Sequence, residues 1–298
     1  MIIMIVAISA AFIAALILLN TTPLFYFEPS AYNRADEPPL FDPRAKEAFY
    51  ENKGSGKLVI LVHGFPGTPF EWDRVGRMLS KDYNVLIPRI YGFGTTPGFF
   101  KKTYFSQWYG SLGEIYAKYR KVFDDVTVCG LSFGGMLALR LAEDFGNSPG
   151  LAMRRIAVIS APVFLKEPGI VFLRLISWFI DEIKSRKSSG ERDNDGADWV
   201  GFYDKFPAQL YSMVMGMNAT RRGLSKIQVP AIFMHAIGDR TVPFENLDYI
   251  YNHVSSKDKR KFVFDLGGWK HRRHLLTMYN SSYEEVYRNI VNFISRGT

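Results

Sequence analysis

Met1–Leu19 carries no charged side chain, and Ser9 is the one polar residue in it; the first charged residue of the chain is Glu28. A core helix of that length would show a polar stripe. A run that is apolar on every face predicts a membrane-spanning helix instead. It begins without Lys or Arg and is long for a signal peptide, so a retained anchor is favoured over a cleaved leader followed by secretion. The first cations beyond it, Arg34, Arg44 and Lys46, lean the orientation towards a cytoplasmic domain. Residues 28–56, with Pro29, Pro38, Pro39 and Pro43, read as a linker or irregular arm. From Lys57 the pattern changes to short apolar, β-branched runs. Lys57–Val62, Asn84–Pro88, Val126–Cys129, Ile156–Ser160, Ala231–Ala236 and Lys261–Leu266 read as strands. Helices are expected over Phe70–Leu79, Ser106–Tyr119, Met136–Phe145 and Tyr283–Ile294. Strands that are apolar on both faces and alternate with helices predict an α/β fold with a mostly parallel sheet.

The alternation breaks over about 162–226. Gly169–Ile183 has the pattern of a helix with a wide apolar face, and Lys184–Asp198 is polar and predicts an exposed loop. Pro207–Met217 predicts a second helix, carrying Met213, Met215 and Met217. The insertion reads as a helical cap, as two ordinary surface helices, or as a segment dipping into a membrane interface. The organisation expected is an anchor or signal over 1–27, the arm over 28–56, and one domain over 57–298 with the cap inside it.

Composition adds limits. The 298 residues are 47% hydrophobic and 15% aromatic, enough for a large core. The net charge of +8 fits a basic surface or an attraction to anionic lipid headgroups. Zinc-finger spacing and RNA-binding aromatic motifs are absent, which removes the support for a nucleic-acid partner. Cys129 is the single cysteine, so no intramolecular disulfide can form and a structural zinc site is not expected.

The chemistry gathers at strand ends. Gly130-Leu131-Ser132-Phe133-Gly134 has the form G-x-S-x-G between a strand and a helix, the context in which a sharp turn presents a serine hydroxyl. His63-Gly64-Phe65 follows an earlier strand. The backbone N–H of Phe65, paired with that of Phe133, is the candidate oxyanion hole. Asp239 follows the strand Ala231–Ala236 and is the candidate acid, with Asp265 as fallback. The base must be His274 or His271, because the acid precedes it in the order Ser…Asp…His. His63 lies before the serine and is read as structural or pocket-lining; His253 is read as a surface residue.

With those residues placed, Lys57 to Ile294 resembles the bacterial carboxylesterase and monoacylglycerol lipase group of α/β hydrolases. HGFPGTPFEW (His63–Trp72) is similar to the group's oxyanion loop, GLSFGG to its nucleophile elbow, and Ile227–Pro243 to its acid strand and loop. His274-Leu-Leu-Thr-Met-Tyr resembles the group's histidine motif, with Tyr279 where an Asp is usual, and this register selects His274 over the alternative base His271. A second departure is Phe93 in Tyr91-Gly92-Phe93-Gly94, where relatives often carry G-H-G; it takes a polar group from the rim of the site. The resemblance implies hydrolysis of carboxylic esters through an acyl-enzyme on Ser132, with neither a metal nor an organic cofactor; the apolar cap and the anchor favour acyl glycerols or other acyl lipids as substrates. A thioesterase, amidase or acyltransferase would use the same residues, and a silent binding module would keep the fold alone.

Overall fold

The computed structural model describes residues 2–21, 27–185, 195, 198–267 and 273–296. The chain opens with helix α1 (Ile2–Thr21). It continues through strands β1 (Ala48–Tyr50) and β2 (Lys57–Val62), helix α2 (Asp73–Leu79), strand β3 (Asn84–Ile87), and helices α3 (Pro97–Phe100) and α4 (Phe105–Arg120). Strand β4 (Asp125–Leu131), helix α5 (Phe133–Phe145) and strand β5 (Arg155–Ile159) follow. After them come helices α6 (Leu173–Ser177) and α7 (Pro207–Gly223), strand β6 (Ala231–Ala236), helix α8 (Glu245–His253), strand β7 (Lys259–Phe264) and helix α9 (Tyr283–Ser295).

The strands form one seven-stranded sheet in the order β1-β3-β2-β4-β5-β6-β7. Every neighbouring pair is parallel except β1 with β3. Side chains along β2 alternate between two cores. Leu58, Ile60 and Val62 meet α4, α5 and α7 on one face, and Val59 and Leu61 meet α2 and α9 on the other. Burial on both faces is why β2–β6 show continuous apolar runs rather than alternation. The six expected strands are all present, two with the expected ends and the others with ends moved by a residue or two. Strand β1 is an addition: three residues of the expected arm pair with β3, Phe49 opposite Leu86.

The structure corrects several expectations. Gly169–Ile183 is not one helix. A 3-10 turn at Pro168–Phe172 leads into the five-residue α6. Beyond Trp178 the chain leaves the helix, Ile183 bridges to Lys205, and Asp181 and Glu182 both pair with Lys101. These tertiary partners override a helical pattern. In the expected loop Lys184–Asp198, residues 186–194 and 196–197 lie outside the described residues. Asp195 is buried rather than exposed, and its carboxylate accepts from the Ser281 N–H and hydroxyl. The membrane-spanning helix and single-pass anchor are not matched. Among the described residues no helix is long and apolar enough to cross a membrane. Helix α1 itself runs over 20 residues, but its described side chains end at Leu18. All but the half-buried Leu16 are exposed, and the helix packs against Pro168–Phe172, α6 and α7.

Candidate active site

Parallel strands end on the same side, so the loops after β2, β4 and β6 converge there. Val62 at the end of β2 pairs with Gly130 in β4, which lays His63–Phe65 beside the turn at Ser132. That turn is tight. Ser132 sits between β4 and α5 at φ 54°, ψ −120°, a conformation rarely occupied outside glycine. A Cβ on Gly134 would lie 2.6 Å from the His63 carbonyl oxygen and closer still to that of Val62. A Cβ on Gly130 would collide with the backbone of Gly134. Both glycines of G-x-S-x-G are therefore required by backbone crossing, as the motif predicts. Ser132 is 7% exposed. The N-terminus of α5 points at it, so the N–H of Phe133 lies among the first-turn donors that no helix carbonyl satisfies. The rings of Phe65 and Phe133 meet at 5.9 Å between centroids, so the two candidate oxyanion residues are neighbours.

The acid and base loops also meet. Asp239 Oδ2 accepts from His274 Nδ1 at 2.8 Å, and Asp239 Oδ1 accepts from the N–H groups of Thr241 and Val242. With Nδ1 donating, neutral His274 carries its lone pair on Nε2. The Asp239 carboxylate has no exposed surface. Burial raises its pKa, but His274 and His235 outweigh that and hold it well below the usual carboxylate range. The described residues contain no hydrogen bond between the Ser132 hydroxyl and His274; such bonds are often long before substrate binds. Asp265 is exposed and accepts from the Gly267 N–H. His271 lies outside the described residues. His253 is exposed at the end of α8 and stacks on Tyr249.

Several supporting contacts are not marked by any motif in the sequence. His235 Nε2 lies 3.1 Å from Asp239 Oδ2. Arg273 donates to the carbonyls of Ile237 and Gly267, tying the histidine loop to the turn before Asp239. Gly238 there has φ 70°, and a Cβ on it would lie 2.6 Å from Arg273 Nη1. The Tyr279 hydroxyl accepts from the His274 N–H at 3.3 Å, which gives the departure at that position a bracing role. Glu71 is fully buried. Its Oε2 accepts from the Gly64 N–H at 2.6 Å and its Oε1 from Trp199 Nε1 at 2.7 Å, joining the oxyanion loop to the insertion. Burial raises the Glu71 pKa against those donors.

His63 is also buried, with Nδ1 on the Gly64 carbonyl and Nε2 accepting from the Ile90 N–H. Desolvation lowers its pKa from 6.5 to about 4, so it stays neutral at pH 7. It braces the loop after β2. Phe93 is not at a rim: it has no exposed surface and packs between the rings of His63, Phe65 and Phe133. Among the described residues no cluster could hold a metal ion. A cleft of about 370 Å³ lined by Asp125, Arg155, Asp258 and Arg296 lies at the opposite ends of the strands, away from Ser132, and Arg155 there is paired with Asp125 at 2.9 Å.

Known proteins resemble the chain in sequence and in fold. The chain is 31% identical over 215 residues to a thermostable monoacylglycerol lipase of Bacillus sp. (strain H-257), covering 72% of this chain and 82% of that lipase. It is 22% identical over 247 residues to a carboxylesterase of Bacillus subtilis (strain 168), covering 82% and 94%. Among solved structures, one from a study of the metagenome-derived lipolytic enzymes LipS and LipT superposes with a TM-score of 0.75 at 21% identity, covering 85% of this chain and 98% of that one. A soluble variant of monoglyceride lipase from Saccharomyces cerevisiae gives 0.66 at 15% identity, covering 91% and 99%. At those identities the structural likeness speaks for the fold alone. The profile of the alpha/beta hydrolase family matches residues 59–286. The chain belongs to the alpha/beta hydrolase family.

Proposed function

We propose that this protein hydrolyses carboxylic esters through Ser132, His274 and Asp239. The chain is a carboxylic ester hydrolase of its family, similar to a monoacylglycerol lipase and a carboxylesterase. The observation that carries the residue assignment is the 2.8 Å bond from His274 Nδ1 to a buried, otherwise satisfied Asp239 carboxylate. That bond leaves Nε2 free to act as base. Ser132 Oγ attacks the ester carbonyl while His274 Nε2 takes its proton. The oxygen becomes an oxyanion facing the N–H groups of Phe65 and Phe133, which stabilise the developing charge. His274 returns the proton to the leaving alcohol, and water repeats the cycle to free the acid and Ser132.

Acyl glycerols or other acyl lipids are the substrates we infer. Two features support this: the likeness to a monoacylglycerol lipase, and the exposed apolar residues Phe172, Trp178 and Phe179 of the insertion. The reading includes membrane attachment through α1, whose Ile2, Ile3 and Phe12 are more than 60% exposed. A fluorophosphonate probe tests the site. Labelling of the intact protein should vanish in Ser132→Ala and His274→Ala. Persistent labelling of the second variant would transfer the base to His271, and failure of the intact protein to label would reject the serine mechanism. Deleting residues 2–21 should move the protein from the detergent phase to the aqueous phase on partitioning; an unchanged distribution would reject the attachment.

A further inference from the structure

Two histidines share one carboxylate oxygen. Asp239 Oδ2 accepts from His274 Nδ1 at 2.8 Å and faces His235 Nε2 at 3.1 Å. His235 belongs to β6 and is 1% exposed. Its Nε2 also lies 3.3 Å from the Val242 carbonyl. Both neighbours of Nε2 are acceptors, so that nitrogen carries a proton and donates, whatever the state of Nδ1. The turn through Gly238 folds Asp239 back onto the strand residue four positions earlier. The proton transfers proposed for Ser132 and His274 make no use of this second ring.

We propose that His235 is a positioning residue that acts through Asp239, fixing the carboxylate and limiting the negative charge it presents to His274. This rests on the reading of Asp239 and His274 as the acid and base of the site. An oxygen that already accepts one hydrogen bond is a weaker acceptor for a second, so each donor on Oδ2 moderates the other. Without His235, Oδ2 would bind the His274 imidazolium more tightly, and the base would hold its proton to higher pH. The other groups that bear on the pair are few. Glu245 of α8, paired with Lys166, acts electrostatically with His235, and the Phe244 ring packs on it edge-on. On β7, uncharged Val263 stands opposite it in register. On the His274 side stand Glu71, which feels the His274 charge, the Tyr279 hydroxyl on its backbone, and the adjacent Arg273.

The test is the pH profile of kcat/KM for a p-nitrophenyl acyl ester, measured on the full chain with His235→Gln and His235→Phe. Gln keeps a donor of similar reach, whereas Phe keeps the ring volume and removes the donor. The acid limb of His235→Phe should move to higher pH by about half a unit or more. Its plateau should fall roughly tenfold as Asp239 loses a restraint. His235→Gln should keep the native limb. A merely structural histidine would lower stability in both variants without moving either limb. An unmoved limb in His235→Phe, or equal shifts in both variants, overturns the proposal. If His235→Phe does not fold, His235→Asn, too short to reach Oδ2, replaces it with the same expected shift. Fluorophosphonate labelling keeps the two readings apart. An intact protein that does not label defeats the serine mechanism itself, whereas normal labelling with an unmoved limb defeats only the role of His235.

Discussion

Ser132 owes its position to residues that have no side chain. Gly130 and Gly134 let the strand and helix backbones pass in contact, and the serine is held at φ 54° between them. Gly134→Ala would drive a methyl group into the Val62 and His63 carbonyls. It should destabilise the fold by about 3 kcal/mol or more, read as a lowered urea midpoint. Asp239→Asn makes the contrasting change. The shape is kept, but the amide presents a donor or a weaker acceptor to two histidines and two N–H groups. The expected result is a fall in kcat of about 10⁴-fold with a small change in thermal midpoint. A loss below tenfold would place the acid elsewhere. The elbow was readable in the sequence because backbone crowding dictates residue type at fixed spacing. His235 was not: nothing in an apolar strand marks which inward side chain meets a carboxylate four residues on.

At the scale of elements, the candidate site is assembled by loops that strands deliver, and the insertion packs against one of them. Strands β2, β4 and β6 fix where the loops begin. The insertion is tied to them through Trp199, whose indole N–H meets Glu71 of the oxyanion loop. Trp199→Phe leaves Glu71 Oε1 buried with one donor fewer. It should cost about 1–3 kcal/mol in chemical denaturation. An unchanged midpoint would mean that water replaces the indole. The core strands and their flanking helices were legible because each buries a continuous or periodic apolar face. The helix expected over Gly169–Ile183 failed for the opposite reason. Its apolar residues Trp178, Phe179 and Ile180 stay exposed, and its acids are drawn to Lys101. Its pattern described a surface rather than a face packed on the core.

For the molecule as a whole, two buried groups set opposing responses to pH. The His63 value is lowered to about 4 by burial. Stability therefore falls as pH drops from 6.5 towards 4, where the unfolded chain binds the extra proton. The Glu143 value is raised from 4.5 to about 7, again mainly by burial and despite Arg140. The folded state holds that proton more tightly, so this contribution is present below 4.5 and is lost as pH rises through 7. Between 4.5 and 6.5 the two largely offset each other. Glu143→Gln keeps an acceptor for Arg140 and removes the ionisation. Its stability relative to the native protein should rise by about 1–2 kcal/mol between pH 4.5 and 8, measured by denaturation at each pH. A difference that stays constant across that range would mean that Glu143 titrates normally.

The sequence alone determined six of the seven strands and the strand–turn–helix around Ser132. Both are local matters of apolar periodicity or backbone crowding, written into consecutive residues. The tertiary structure decided what depends on distance in space. It paired β1 with β3, brought His235 and His274 to one oxygen of Asp239, set Tyr279 behind the histidine and withdrew Phe93 into the aromatic core. A residue's type limits the bonds it can make, but its partners are fixed only when the sheet closes and the loops at its edge are held together.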